Sequence, residues 1–497
     1  MLLVDVTIVQ VALPSIQRDL SASFAGLQWV IDAYAITLAA LLLGAGQLAD
    51  RFSRKRVFLG GVVVFTLASL VCGLAPSSLA LDLARAAQGI GGAAMFTTSL
   101  ALIGQEFEGP ARHSALALWG ATIGGAVAIG PLLGGILTEW LSWHWIFYVN
   151  LPVGVAVFAA ATVGIRDLRS EQVAHADPVG LVCFSGFLFG LVYGLLRGND
   201  DGWTSGRIVA SLAGAVLLLA VFVVAELRQE HPMFDLSLLR SPAFTGVSLG
   251  TYAIGAGMFA LLPFITLYLQ NILGYSPLQG GLRVLPITAL VFLVPLAARR
   301  LGTRVPTAAL LAAGLGLVFV GLLLMLQVGP HSRWTALLPG MIVCGVGIGL
   351  SNPAIGQLAL VVVPSHRVGL ASGLSNTFRI GGLATGVAGL GALLDSRLTS
   401  RLHELLPAAP HGLAAAVASG GVSAAAGLVP PDARAQTVAA AHSAFVSGLD
   451  LALLAGAVAL GLGTLAVAVL ARPSLVARAA AGTAADRAPD AEPALDQ

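Results

Sequence analysis

About fourteen stretches, each near 20 residues long, carry few or no fixed charges, and nothing else in the chain restricts its fold so sharply. A helix rising 1.5 Å per residue needs about 20 apolar residues to cross about 30 Å of hydrocarbon. Lipid offers no water to backbone N–H and C=O groups, so such stretches span as helices. The expected spans are 2–17, 27–49, 57–75, 79–104, 114–138, 146–165, 178–197, 207–226, 244–270, 278–298, 305–327, 334–363, 369–394 and 444–470. Composition agrees: 10% of the 497 residues are Asp, Glu, Lys or Arg, against about 25% in globular proteins, too few to build a soluble surface.

Several function classes fall away at once. The net charge is +2 and the aromatics do not interleave with basic runs, so nucleic acid is not an expected partner. Lys55 is the only lysine, flanked by Arg54 and Arg56. A phosphate-cradling loop needs Gly-x-x-x-x-Gly-Lys-Ser/Thr, so the chain does not hydrolyse ATP by that route. Cys72, Cys183 and Cys344 each lie inside a separate apolar run and read as small buried hydrophobes, with no metal site or cofactor implied. Gly246-Val-Ser248-Leu-Gly250 matches a hydrolase elbow but lies within an apolar span with no strand before it, and His403-Glu404 lacks the second histidine of a zinc site. No enzyme is expected.

Basic residues divide unequally when loops are assigned alternately to two sides with the N-terminus in the cytoplasm. Sixteen fall inside: Arg51, Arg54, Lys55, Arg56, Arg112, Arg166, Arg169, Arg228, Arg240, Arg299, Arg300, Arg304, Arg367, Arg472, Arg478 and Arg487. Seven fall outside (Arg18, Arg197, Arg207, Arg333, Arg397, Arg401 and Arg434), and Arg85, Arg283 and Arg379 lie within spans. Both termini are therefore expected in the cytoplasm. The Ala, Gly and Pro-rich stretch 395–443 reads as a long external loop with a short surface helix around Leu413 to Ala426, and the tail 471–497 as disordered. Trp140, Trp143, Trp145 and Tyr148 read as an interfacial belt. The first span is short, which leads us to expect a further segment upstream; no basic n-region or small-residue cleavage site marks a signal peptide.

One motif is written twice. Gly46-Gln-Leu-Ala-Asp50-Arg51-Phe-Ser-Arg54-Lys55-Arg56 follows the second span, and Pro295-Leu-Ala-Ala-Arg299-Arg300-Leu-Gly302-Thr-Arg304 follows the tenth. A weaker echo links Arg112 to Gly135 with Arg367 to Gly391. The simplest arrangement is an all-α membrane protein of two six-helix bundles, 1–165 and 244–470, with a central helix pair in 166–243. Parallel repeats of this kind place a substrate cavity between the halves near the bilayer midplane.

Four local patterns, in this order, resemble the major facilitator superfamily, specifically its fourteen-helix drug:proton antiporter branch, over essentially the whole length. They are Asp5-Val-Thr7-Ile-Val-Gln10-Val-Ala-Leu-Pro14, Gly46 to Lys55, Arg85-Ala-Ala-Gln88-Gly89-Ile-Gly91-Gly92-Ala, and Gly130-Pro131-Leu-Leu-Gly134-Gly135. Departures are Gln10 where Asn is usual, Ser53 and Ala126 at usual glycines, and Val291, Ser375 and Asn376 where relatives of the quaternary-ammonium pump type carry acids. The resemblance implies proton coupling through Asp5, Asp32 and Arg85, and a conformational latch in the Gly46, Asp50, Arg51, Arg54, Lys55 loop.

The residues have physical readings of their own. Asp5 and Asp32 sit in apolar helices, where an ionised carboxylate is costly and a proton can be exchanged for a substrate. A purely packing role, with Thr7 or Thr37 satisfying the acid, stays open. Arg85 needs a partner at its depth, and Asp82, three residues earlier on the same face, could supply one. Arg379 faces the same choice; lining the cavity, it would favour an anionic or carbonyl-bearing substrate. Arg283, nearer a span end, reads as snorkelling. Gly130, Gly134 and Gly135 clear one helical stripe for close approach, and Pro131 kinks the helix.

The expectation is a monomeric secondary transporter of the bacterial plasma membrane that exports lipophilic small molecules against protons. Proton-coupled uptake of a small metabolite, or a non-transporting sensor or assembly subunit, are the alternatives; direction of accumulation and presence of flux separate them.

Overall fold

The computed structural model describes residues 1–107, 109–167, 177–229, 232, 234, 236–298, 305–329, 332–361, 368–407, 410 and 412–472. The second copy of the loop motif (299–304), Arg169, Arg367 and the tail from 473 lie outside these, as do the side chains of Asp50 and Arg112.

Among the described residues the chain is helical throughout, with no strand. The α-helices are α1 (Leu2–Leu20), α2 (Phe24–Arg51), α3 (Arg54–Gly73), α4 (Ser78–Glu106), α5 (Gly109–Trp140), α6 (Trp145–Tyr148), α7 (Asn150–Gly164), α8 (Pro178–Asp201) and α9 (Gly206–Arg228). They continue as α10 (Pro242–Gly257), α11 (Leu262–Leu267), α12 (Pro277–Ala298), α13 (Thr307–Met325), α14 (Leu338–Val361), α15 (Val368–Leu405), α16 (Leu413–Gly427) and α17 (Arg434–Leu470). Twelve segments among the described residues are long and apolar enough to cross a membrane. They correspond to every expected span except the first and fifth, which are also helical, as α1 and α5.

Polar residues outside the apolar runs set where helices begin. Ser23, Ser53, Ser77 and Ser205 accept hydrogen bonds from the backbone N–H groups of Gly26, Arg56, Ala80 and Ile208. Asp177 caps α8 just ahead of Pro178, the favoured first position of a helix. The ninth expected span is broken: after α10 come a 3-10 turn (Phe259–Leu261), α11 and a π-helical turn (Tyr268–Ile272).

Packing follows two groupings. In the first, α2, α3 and α4 pack together, α1 packs on α5, and α7 on α3; in the second, α10, α15 and α17 pack together beside α12, α13 and α14. The groupings meet where α5 runs along α12 and α2 along α15. The α8–α9 pair leans through α8 on both α2 and α15, with α9 outermost.

The region expected as a long external loop is largely helix. α15 and α17 contain 38 and 37 residues, about 55 Å each at 1.5 Å per residue. They outrun the hydrocarbon and carry α16 between them, where Leu413, Val417, Ala418 and Ala425 are buried. Of the expected aromatic belt, Trp140 and Trp145 are exposed, but Trp143 and Tyr148 turn inward. Trp143 Nε1 donates to Asp19 at 2.8 Å, and the Tyr148 hydroxyl to the Gly73 carbonyl at 2.6 Å.

Candidate functional site

The first pattern on α1 and the Arg85 pattern on α4 converge on one buried cluster. Arg85 pairs with Asp5, both almost wholly buried. Arg85 Nε donates to the Val30 carbonyl of α2 at 2.9 Å, and Nη1 to Gln88 Oε1 at 2.7 Å. Gln88 Nε2 donates to Asp5 Oδ1 at 3.1 Å and to Ser69 Oγ of α3 at 2.7 Å; Asn150 Nδ2 of α7 reaches Asp5 Oδ1 at 3.2 Å. The guanidinium lies 4.4 Å from the centre of the Tyr34 ring. Five helices are thus fastened by one ion pair whose polar atoms are largely satisfied, the condition under which buried charge is tolerated.

This arrangement corrects the sequence-based pairing of Arg85. Its partner is Asp5 rather than Asp82, whose Oδ1 is buried without a hydrogen bond. Nor do hydroxyls satisfy the two acids: Thr7 donates to the Leu3 and Val4 carbonyls and Thr37 to that of Ala33. Asn150 and Tyr34 escaped sequence reasoning, because their closeness to Asp5 and Arg85 depends on which helices become neighbours.

Asp32 is the opposite case. It is fully buried in α2, and neither carboxylate oxygen has a hydrogen-bond partner among the described residues. One turn away, Gln28 Nε2 donates to the Val387 carbonyl of α15 at 2.7 Å, so Asp32 stands beside the contact between the two groupings. Arg379, also on α15, is half-buried and donates to Asn376 Oδ1 at 2.6 Å. Arg283 stacks over Tyr275 at 3.6 Å and donates to the Gln279 carbonyl at 2.9 Å, near the start of α12.

The glycine motif of α5 lies on the seam. A Cβ on Gly130 would strike Thr7 Oγ1, and one on Gly134 would lie 2.7 Å from the Ile8 carbonyl, so these glycines admit α1. Gly135 admits α12, with Leu278 Cα 2.7 Å from its Cβ position; Gly281 returns the contact against the Pro131 carbonyl. Farther along, Thr288 Oγ1 is 3.4 Å from the Ala128 carbonyl, and the Cβ position of Gly125 is 3.9 Å from Phe292. The two helices therefore remain in ordinary contact as far as Gly125 and Phe292 and press together most tightly at the arginine-poor end. Further ties across the groupings lie at that same end: Gln270 Nε2 to the Val11 carbonyl at 2.8 Å, Ser276 Oγ to Glu139 at 2.6 Å, and Phe24 against Phe264.

The loop motif ties several helix ends together, with Gln47 Oε1 accepting from the backbone N–H of Asp177, ahead of α8, at 3.3 Å. Lys55 Nζ donates to the Thr162 and Ile165 carbonyls at 2.7 and 2.6 Å, capping the end of α7, where a cation is favoured. Ser53 donates to Asp167, and Arg56 pairs with Asp167 at 3.1 Å. Gly46 faces Thr97 of α4, and Arg51 is exposed with its guanidinium over Phe52. No role for Asp50 is read from the structure, since its side chain lies outside the described residues.

Known proteins agree with this architecture. The model of the Major Facilitator Superfamily matches residues 1–387. The multidrug resistance protein Stp of Mycobacterium tuberculosis (strain CDC 1551 / Oshkosh) is 36% identical over 469 residues, covering 91% of this chain and 86% of that protein. The tetracenomycin C resistance and export protein of Streptomyces glaucescens is 33% identical over 478 residues, with coverage of 93% and 87%. The puromycin resistance protein pur8 of Streptomyces alboniger is 36% identical over 431 residues, with coverage of 84% and 85%. Among solved structures, a bacterial homolog of the human lysosomal transporter Spinster, inward-facing and unoccupied, has a TM-score of 0.61 at 18% identity, covering 96% of this chain and 95% of that one. At that identity the likeness establishes the fold.

Proposed function

Since the chain belongs to the Major Facilitator Superfamily, a family of membrane transporters for small molecules, we propose that it exports lipophilic small molecules, drugs or antibiotics among them, in exchange for protons. Relatives that align over most of its length are named for drug resistance and export, which supports the substrate class. Residues 1–165 and 244–470 form the two rocking halves, 166–243 the pair between them. The arginine-rich end faces the cytoplasm of a bacterial cell with both termini, and the monomer is the working unit.

The observation that carries the reading is Asp32: a wholly buried carboxyl with no hydrogen-bond partner, one turn from a bond that closes the seam. An ionised carboxylate there is costly, and proton uptake removes that cost, so Asp32 is protonated while it is shut off from water on both sides. Parting of α2 from α15 at the outer end wets Asp32 and admits protons from outside, which displaces substrate; opening inward releases them. Export requires that the two states differ in affinity for substrate, and the charge on Asp32 supplies the difference. Asp5, held by Arg85, Gln88 and Asn150, keeps the first half rigid while it moves, and Arg379 selects substrates that present an acceptor oxygen. ATP is not consumed.

A resistance and efflux panel in a pump-deficient host tests the reading. Accumulation of at least one lipophilic compound should fall when the protein is expressed, and return to the control level when the proton-motive force is collapsed. Equal accumulation with and without the protein across the panel would end it.

A further inference from the structure

A groove lies away from the seam. It has a volume of about 520 Å³, within the range of small-molecule sites, and runs along α15 between α8, α10 and α17. Its floor is built where α10 meets α15 closely, with Ala256 against Gly386; Gly389 leaves open space above its backbone. Tyr252 and Leu393, 37% and 40% exposed, open it sideways at membrane depth. Val387 and Gly391, which meet Gln28 of α2, lie about 200° around α15 from Gly389 and Leu393 at 3.6 residues per turn. The body of α15 therefore separates the groove from the seam.

The rim at the arginine-poor end is charged. Asn199 lines the groove and donates to Asp395 Oδ2 at 3.2 Å. Asp200 is close enough to act on Asp395. Arg197 is shared between Asp200 and Asp201 at 3.6 Å each, and Asp201 Oδ2 is buried without a hydrogen bond. Arg397 is turned to Ser447 of α17 at 3.0 Å. Asp200 and Asp201 thus share the Arg197 guanidinium, while Asp395 is held by Asn199. The half-exposed Trp203 ring lines the same mouth, its indole N–H turned to Asn199 at 3.0 Å. Carboxylates beside an aromatic face attract organic cations, whereas the phosphate of a phospholipid would meet net negative charge.

We propose that this groove binds a lipophilic organic cation, its charged centre at the rim among Asp395, Asp200 and the Trp203 ring and its apolar body along α15. The proposal concerns binding and goes beyond the transport reading: a protein that moves nothing could still hold a cation here.

Equilibrium dialysis of the purified full-length protein tests it, with tetraphenylphosphonium as probe and uncharged triphenylphosphine oxide as its neutral counterpart. The variants are Gly389→Leu, which fills the groove from an unobstructed position, Asp395→Asn, and Gly381→Leu, equally unobstructed on α15 but outside the groove. Gly389→Leu and Asp395→Asn should each weaken phosphonium binding about tenfold, the factor that about 1.4 kcal/mol represents. Gly381→Leu should leave it unchanged, and the oxide should bind more weakly than the cation. In parallel, an azide-bearing phosphonium photolysed on the wild-type protein should label α8, α10 or α15 at groove-lining positions. Phosphonium affinity within twofold of wild type in both groove variants overturns the proposal. So do photo-adducts confined to α2 and α5, and so does displacement of both probes alike by phosphatidylglycerol, which marks a lipid site. If a variant fails to fold, the wild-type adduct map decides alone.

Discussion

Asp5 and Arg85 are 80 residues apart in sequence and share one hydrogen-bonded ion pair in the interior. Removing one member of such a pair strands the other and costs about 3–5 kcal/mol, while removing both costs far less. Asp5→Asn and Arg85→Met should each lower the unfolding temperature in detergent by more than the double variant does; additive losses would show the charges to be independent. A second residue-scale expectation concerns Asp167, in the loop after α7. A hydrogen bond from Ser53, then Arg56, holds its carboxyl below the usual carboxylate range. A lowered value means that its contribution is complete above the ordinary carboxylate range and is lost only as pH falls through the lowered one, so this tie stays intact near neutral pH. In a carboxyl-carbon NMR titration, Ser53→Ala should move the Asp167 midpoint upward; an unmoved midpoint contradicts the hydrogen bond. At this scale sequence reasoning found that Arg85 must be paired and missed with what. Asp82 is near along the helix, but the partner came from α1, and contacts between distant helices leave no local pattern.

The spans were legible at the level of elements because charge exclusion over about 20 residues is a strong, local signal. Their limits were less so: α15 runs on through charged sequence in which Leu398 and Leu402 are buried one turn apart, and α17 begins in Ala-rich sequence, both of which hydropathy alone reads as loop because they favour helix without favouring lipid. The α5 glycine motif was legible as a stripe for close approach, whereas its counterpart Gly281 on α12 was not, since the pair Gly280-Gly281 at the start of a span reads equally well as a turn. The seam yields a prediction. Gly281→Leu should prevent α12 from seating on Pro131, reduce transport by at least about tenfold, and expose a cysteine placed at Leu27, otherwise buried, to a membrane-impermeant maleimide. Gly125→Ala, whose new methyl meets Phe292 at 3.9 Å and nothing closer among the described residues, should behave as wild type. Wild-type transport by Gly281→Leu would mean that the contact does not matter for closure.

For the whole molecule, one ionic cluster stiffens the first grouping, and the two groupings touch along α5–α12 and α2–α15, pressed together at the arginine-poor end. The expected pseudo-symmetry rested on two short motif copies and a weaker echo between α5 and α15, and residues 299–304 of the second copy lie outside the described residues. On the proposed transport reading, Asp32 is the group whose protonation is tied to opening and closing. The most direct measurement uses sealed proteoliposomes with an imposed pH gradient, loaded with a compound found by the efflux panel, comparing wild type with Asp32→Asn. The account predicts gradient-driven movement by wild type and none above the empty-liposome rate by the variant, with downhill substrate exchange retained. Equal gradient-driven movement by both would contradict it.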